Sequence, residues 1–332
     1  MYHFCTYFDK NYLIRGLALY KSLTKQIPEF YLYVLCLDNE VYKFLKNNNY
    51  DRIIPVSLED FENGDDELKS KKNTRSKVEY YFTCTPSFII YILKHFSGID
   101  IITYLDSDLY FFGDPKPIYE ECGNNSILII GHRFHETEKS RLKFGVYNVG
   151  YLSFRNDMNS AECLEWWRER CLEWCYSRVE DNKFADQKYL DNWPILFKKV
   201  CQLKHKGAGL APWNTVNYNY TICNNQVYVD DFPLIFYHFH NFNRINKFVY
   251  DAGDLKTKIT SDYWFLVRYL YSRYIIELNK LEKNLKHNNI GHTRNFFNND
   301  TNSYFFKAIR VKKLIINFYG KIFPADLSTK YL

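Results

Sequence analysis

The chain has 332 residues, of which 46% are hydrophobic and 25% charged, and its formal net charge is +6. That length and balance exclude a disordered chain and a small disulfide-stapled module, and they allow one large α/β domain with an appendage. The basic excess is mild and scattered, and no nucleic-acid module is recognisable, so no nucleic-acid partner is expected. Aromatic residues reach 19%; Lys, Asn, Ile, Tyr and Phe are abundant together, which favours codon bias over the alternative of a special aromatic function.

The first predicted element is a buried strand at "HFCTYF". "NYLIRGLALYKSLTKQ" follows with helical spacing, Leu13, Leu17, Tyr20 and Leu23 sharing a face. "EFYLYVLCLD" reads as a second strand, "NEVYKFLKNN" as a second helix and "DRIIPVS" as a third strand. Such a β-α-β-α-β opening favours a parallel sheet. Residues 62–77 are polar and predict a mobile loop able to close over a ligand. A helix over "VEYYFTCTPSFIIYILKHF" is expected to begin or kink at Pro86, and "IDIITYL" is the next strand. Beyond it, "PKPIYEEC" and "SAECLEWWRERCLEWCYSR" predict helices, and "SILIIGHRF" and "YNVGYLSFRN" predict strands. From about residue 241 the chain turns Lys- and Asn-rich. A domain over 1–240 and a helical appendage over 241–332, without further strands, are expected.

The nine cysteines are odd in number, form no disulfide ladder and contain no CxxC pair. They point to a reducing compartment rather than a zinc site. "MYHFCTYFDKNY" lacks a basic leader pattern and no run approaches the roughly 20 apolar residues of a membrane span, so a cytoplasmic location is expected.

Asp106 and Asp108 flank Ser107 at the C-terminal end of a predicted strand, the edge at which open α/β sheets bind ligands. In extended chain, residues i and i+2 point to the same side, so both carboxylates can reach one cation. Mg²⁺ or Mn²⁺ favours such oxygen donors and leaves room for phosphates. The plain alternative is two solvated acids in a turn. "FYHFHNF" later places His238 and His240 at i and i+2 after an apolar strand.

Four stretches stand in a fixed order: "TYFDKNYLIRGLALYKSL", "ITYLDSDLYF", "YNVGYLSF" and "FADQKYL". Together they resemble the nucleotide-sugar glycosyltransferases of the GT-A fold, most nearly family eight and related bacterial proteins, over residues 2 to about 240. They look like that family's first strand and helix, its metal-binding Asp-x-Asp, its Asn-x-Gly strand and its Asp-Gln motif.

The resemblance implies an α/β, Rossmann-type, mostly parallel sheet flanked by helices. It implies metal-dependent transfer of a hexose or N-acetylhexosamine from a nucleoside-diphosphate sugar, UDP first, to a glycan or lipid-linked glycan, with retention. Asp106, Asp108 and a late histidine, His240 before His238, are then the metal ligands for Mn²⁺ or Mg²⁺; only one of the two histidines is expected on the ion. Tyr7, Asp9, Asn11, Tyr12 and Ser107 are expected on the donor nucleotide, with Asp9 as a helix N-cap the alternative. Asn148 falls where the family holds the transferred sugar or the acceptor. Asp186 and Gln187 are the candidate catalytic residues, and Asp186 as a helix cap is the alternative.

Two stretches depart from the family. The helix before Asp106 carries no arginine, which leaves Lys77 as the candidate diphosphate contact. "KGAGLAPWN" stands in for the family's His-x-x-Gly-x-x-Lys-Pro-Trp segment, with Trp213 expected to stack on a sugar. The rival readings are a sugar-binding module without activity, an aspartyl phosphatase and a nucleotidyltransferase. Apolar and basic residues over 303–324 predict an amphipathic helix that either lies on an anionic membrane or packs on residues 260–285.

Overall fold

The computed structural model describes residues 1–246, 249–253, 255, 261–287, 313–316 and 322–324. In chain order its strands are β1 (Tyr2–Phe8), β2 (Phe30–Cys36), β3 (Ile53–Ser57), β4 (Ile101–Leu105), β5 (Leu109–Phe111), β6 (Ile127–Gly131), β7 (Tyr147–Arg155) and β8 (Val200–Gln202). Then follow β9 (Tyr220–Cys223), β10 (Gln226–Val229), β11 (Phe232–Pro233), β12 (Phe236–His238), β13 (Asn243–Arg244), β14 (Val249–Asp251), β15 (Lys313–Ile316) and β16 (Ile322–Pro324). The helices are α1 (Leu13–Gln26), α2 (Asn39–Asn47), α3 (Leu58–Glu62), α4 (Asp66–Ser70), α5 (Lys77–His95), α6 (Lys116–Cys122), α7 (Met158–Glu173), α8 (Trp193–Leu196) and α9 (Ser261–His287).

The chain folds as two compact units that interleave along the sequence. The first comprises Met1–Lys10, Ile27–Ser107 and Asp114–His205; the second comprises Asn11–Gln26, Asp108–Gly113 and Lys206–Leu332. This partition differs from a single boundary at 240, because α1 and β5 belong with the later residues.

Among the described residues, the first unit holds a seven-stranded sheet in the order β3-β2-β1-β4-β7-β6-β8. It is mostly parallel; β7 runs antiparallel to both β4 and β6. Its strands are apolar on both faces, as parallel strands covered by helices must be. Helix α5 starts at a capping box, in which Ser76 accepts from the Glu79 amide and Glu79 accepts from the Ser76 amide, and it runs unbroken through Pro86. It packs with α7, whose first turn is capped by Asp157 accepting from the Ser160 amide. Phe88, Phe154, Trp167 and Trp193 are fully buried in this core.

Residues 62–77 are not the loop that their polarity predicts. They form α4 and a 3₁₀ turn over Lys71–Asn73. Buried Arg75 donates to the Leu172 carbonyl and to Thr83, and Glu62 accepts from Tyr80 and Lys72. Arg168 holds Asp65 with both carboxylate oxygens at 2.8 and 2.9 Å. Charged side chains with dedicated long-range partners order the segment, and local composition cannot reveal those partners.

The second unit contains α1, the β12–β5 pair, a three-stranded antiparallel sheet (β11-β10-β9), a four-stranded one (β13-β14-β15-β16) and α9. The long helix α9 is the expected C-terminal helix, but the strands beyond 241 correct the expectation that none would follow. Val249 registers with Ile315, and Ile316 with Ile322, in antiparallel ladders. The helix predicted over 303–324 is likewise replaced by β15 and β16; the rest of that stretch lies outside the described residues. Runs of β-branched residues such as Ile315–Ile316 suit paired strands, which the count of apolar faces on a helix does not weigh. Among the described residues no helix is long and apolar enough to cross a membrane.

Candidate functional site

In the second unit, β5 follows Asp108 directly and pairs antiparallel with β12, bringing His238 opposite Leu109. The Phe239 amide donates to the Asp108 carbonyl at 3.0 Å, which ties the two segments at the ends that carry Asp108 and His238. The segment then alternates. Tyr237 and Phe239 turn into an aromatic cluster with Tyr271 and Tyr274, with Phe239 stacked on Tyr274 at 3.9 Å. His238 and His240 take the other side, where both present edge-on contacts to Trp213 at 5.5 and 5.3 Å.

The ligand atoms of Asp108, His238 and His240 all lie within 4.8 Å of one another. His238 Nε2 is 3.0 Å from Asp108 Oδ1. Burial alone would raise the Asp108 carboxyl, but His238, then His240 and Arg15, hold it well below the usual carboxylate range. One carboxylate and two imidazoles this close form a donor set that fits a single divalent ion. Both histidines stand within this group. Asp106 is not a member of this group.

Two glycines make the approach feasible. A Cβ on Gly113 would sit 2.8 Å from the Leu234 carbonyl, where the Phe112 and Gly113 amides bond Ile235. A Cβ on Gly253, at φ +70°, would sit 2.5 Å from the His240 carbonyl. Trp213 is 4% exposed against the two histidines, so little of its ring is open to a sugar. Tyr12 is 41% exposed, with the Arg15 guanidinium 4.3 Å over its ring. Arg15 itself is buried and donates to the Phe242 carbonyl and to Asn243. Asn11 is exposed.

In the first unit, Asp106 follows β4 and its amide donates to the Gly150 carbonyl. Its Oδ1 accepts from the Tyr104 hydroxyl at 2.9 Å. Asp186 is buried and accepts from Thr85 at 2.9 Å, and Thr85 in turn meets the Tyr7 hydroxyl at 3.2 Å. Its backbone is pinned by Trp167, which donates to the Asp186 carbonyl, and by a left-handed Ala185 at φ 46°. Burial raises the Asp186 carboxyl to about 7; the Thr85 bond lowers it and the Asp106 charge raises it further. Asp186 caps no helix: the 3₁₀ turn Lys188–Asn192 starts after Gln187 without a side-chain cap.

Gln187 and Asn148 are half-buried and meet at 3.5 Å, Asn148 Nδ2 donating to Gln187 Oε1. Gln187 Nε2 donates to the Phe144 carbonyl at 3.0 Å, and Asn148 Oδ1 accepts from the Gly150 amide at 2.8 Å. Asn148 Nδ2 also lies 3.2 Å from His132 Nε2. Lys77, on the first turn of α5, pairs with Asp9 at 3.0 Å, and Tyr81 and Asp9 together raise its ammonium above the usual range despite the opposing cost of burial. Ser107 is buried.

No protein-family model matches the chain. Two proteins of Bacillus subtilis (strain 168), both described as uncharacterized, are similar in sequence. YfnF is 33% identical over 251 residues, covering 73% of this chain and 82% of that protein. YfnD is 31% identical over 249 residues, covering 74% and 79%. The chain belongs to the family of YfnF and YfnD. Among solved structures it is similar to the galactosyltransferase LgtC in complex with donor and acceptor sugar analogues, with 15% identity, a TM-score of 0.49, and 72% of this chain and 87% of that one covered. It is also similar to the glycosyltransferase GlyE of Streptococcus pneumoniae, with 21% identity, a TM-score of 0.39, and 62% and 46% covered. Mouse xyloside xylosyltransferase 1 matches with 13% identity, a TM-score of 0.44, and 72% and 98% covered.

The sequence did not single out Thr85, Tyr104, His132 or Arg15. Arg15 reads as an interruption of an apolar stretch, which was the only local sign that a buried cation sits there. The others are ordinary strand and helix residues whose partners lie far along the chain.

Proposed function

We propose that the protein is a divalent-metal-dependent glycosyltransferase that moves a hexose or N-acetylhexosamine from a nucleoside-diphosphate sugar to a glycan or lipid-linked glycan. The observation that carries this reading is the cluster of His238 and His240 with Asp108, the second acid of the Asp-x-Asp motif. Two imidazoles favour Mn²⁺ over Mg²⁺, which prefers oxygen ligands. When bound, the ion supplies Lewis-acid stabilisation of the charge that grows on the departing diphosphate.

The chain's own residues do the rest. Tyr12, 41% exposed with Arg15 over its ring, is the aromatic side chain offered to a base, and Asn11 is exposed next to it in sequence. Asp9 presents a carboxylate to a base N–H, and Lys77, held to it, supplies a cation for phosphate. Asn148 and Gln187 hold the transferred sugar by their amides. Asp186, buried and bound to Thr85, orders this region instead of taking a proton from an acceptor. Retention at the anomeric carbon is part of this reading.

The test is incubation with Mn²⁺ and a panel of nucleotide sugars, following donor hydrolysis and transfer. Turnover that disappears in EDTA and returns with Mn²⁺ is expected; equal turnover in EDTA overturns the metal role. Proton NMR of the new linkage reads stereochemistry, and a configuration opposite to the donor's overturns retention.

A further inference from the structure

His132 lies just past β6 in the first unit, outside every motif that the sequence offered. The donors and acceptors around its ring assign the direction of its hydrogen bonds. Nδ1 lies 3.3 Å from the Val146 carbonyl, which only accepts, so Nδ1 carries the proton. Asn148 Oδ1 already takes the Gly150 amide, so its Nδ2 donates to His132 Nε2, which must therefore be unprotonated. Gln187 Nε2 donates to the Phe144 carbonyl, so Gln187 turns Oε1 toward Asn148. The result is one directed chain: Val146 carbonyl, His132, Asn148, Gln187, Phe144 carbonyl. Each member would clash, donor on donor, if any one were reversed.

The imidazole is held in place from several sides. It stacks on Phe134 at 4.5 Å with an interplanar angle of 8°, and the His132 amide donates to the Val146 carbonyl at 2.8 Å. Arg133 follows in the left-handed region at φ 52° and donates to the Leu203 and His205 carbonyls. His132 is buried, whereas Asn148 and Gln187 are half-buried and so reachable by a ligand.

We propose that His132 is a positioning residue: as a neutral Nδ1–H imidazole it accepts from Asn148 and sets the direction in which Asn148 and Gln187 present their amides. Its effect on turnover rests on the glycosyl transfer proposed above; its hydrogen-bond state does not. A histidine that merely filled a core would have no preferred tautomer tied to these amides.

The test uses the full chain in two arms. In the first, ¹⁵N-histidine labelling and long-range proton–nitrogen correlation read the His132 tautomer, and side-chain amide resonances are followed for Asn148 and Gln187. Nδ1–H is expected, with amide shifts that move in His132→Phe and stay in His132→Gln, which retains an acceptor. An Nε2–H tautomer, or amides indifferent to His132→Phe, overturns the proposal. In the second arm, His132→Phe is expected to lower kcat about tenfold, donor KM changing little, with thermal unfolding monitored in parallel. His132→Gln should recover most of it, and His132→Phe with Asn148→Ala should cost no more than Asn148→Ala alone. Additive losses, or no rescue by Gln, overturn the coupling. If the wild-type chain turns over no nucleotide sugar, the functional reading fails while the first arm still decides the assignment.

Discussion

Asp108 and Asp186 are both buried, one in each unit, and they sit at opposite ends of the acidity scale. Asp108 is surrounded by His238, His240 and Arg15 and is held strongly acidic. Asp186 receives one hydroxyl from Thr85, feels the charge of Asp106, and is raised to about 7. Burial penalises the charged form in both places; only the presence of cationic neighbours reverses the sign. The first environment keeps its carboxylate charged beside cationic groups, and the second leaves its carboxyl partly protonated near neutral pH.

Several substitutions bear on this contrast. The largest effect is expected from Asp108→Asn, which keeps the size but removes the charge. Transfer should fall by on the order of 10²–10³-fold and Mn²⁺ affinity should fall with it, measured by steady-state kinetics and calorimetry. Unchanged Mn²⁺ affinity would break the assignment of Asp108 as the ligand.

Asp186→Asn tests the other side. A carboxyl whose folded-state pKa is raised binds its proton more tightly folded than unfolded. Its contribution is therefore greatest below the unfolded value, declines as pH rises from about 4 to about 7, and is constant above. The shift corresponds to about 4 kcal/mol at most. Asn keeps the acceptor for Thr85, so the variant should lose that decline and be the more stable form at alkaline pH by a few kcal/mol. Parallel stability–pH curves for the two proteins would show that Asp186 is not the group responsible.

Gly253→Ala touches no ligand, yet the new Cβ would meet the His240 carbonyl at 2.5 Å. A weakening of Mn²⁺ binding by about 10–100-fold is expected, with the first unit's pH behaviour unaffected. Full-strength binding would mean that His240 does not serve the ion.

Thr85→Val removes one hydroxyl at nearly constant volume. It should cost about 1–2 kcal/mol in alkaline solution, where Asp186 is charged, and less in acid. The smallest stability effect belongs to Tyr12→Ala, within about 0.5 kcal/mol because the ring is exposed, while nucleoside-diphosphate affinity drops. Equal nucleotide affinity would remove Tyr12 from the donor site.

Much of the first unit is legible from local pattern. Strands β1 to β4, helices α2 and α5, and Asp106 at the end of β4 follow from periodicity and position, as does α1 in the second unit, because each depends on residues a few places apart. The second unit is less so. Its strands β9 to β16 are short, and the Lys- and Asn-rich composition after 241 hides them.

What the sequence determined by itself was the order of the early elements, β1 to β4 with α1 and α2 between them, and the residue types of four motifs: "DSD", "YNVG", "ADQ" and "HFH". Tertiary structure decided which of them act together. The register of β5 against β12 sets His238 opposite Leu109 and so carries Asp108 to the histidines. Chain separation alone cannot predict that register, since a shift of one residue would turn both imidazoles to the opposite face. Long-range hydroxyl and amide partners likewise decided that Asp186 meets Thr85 and that Asn148 meets His132. A buried polar group must find a partner, but its own sequence neighbourhood does not say which one.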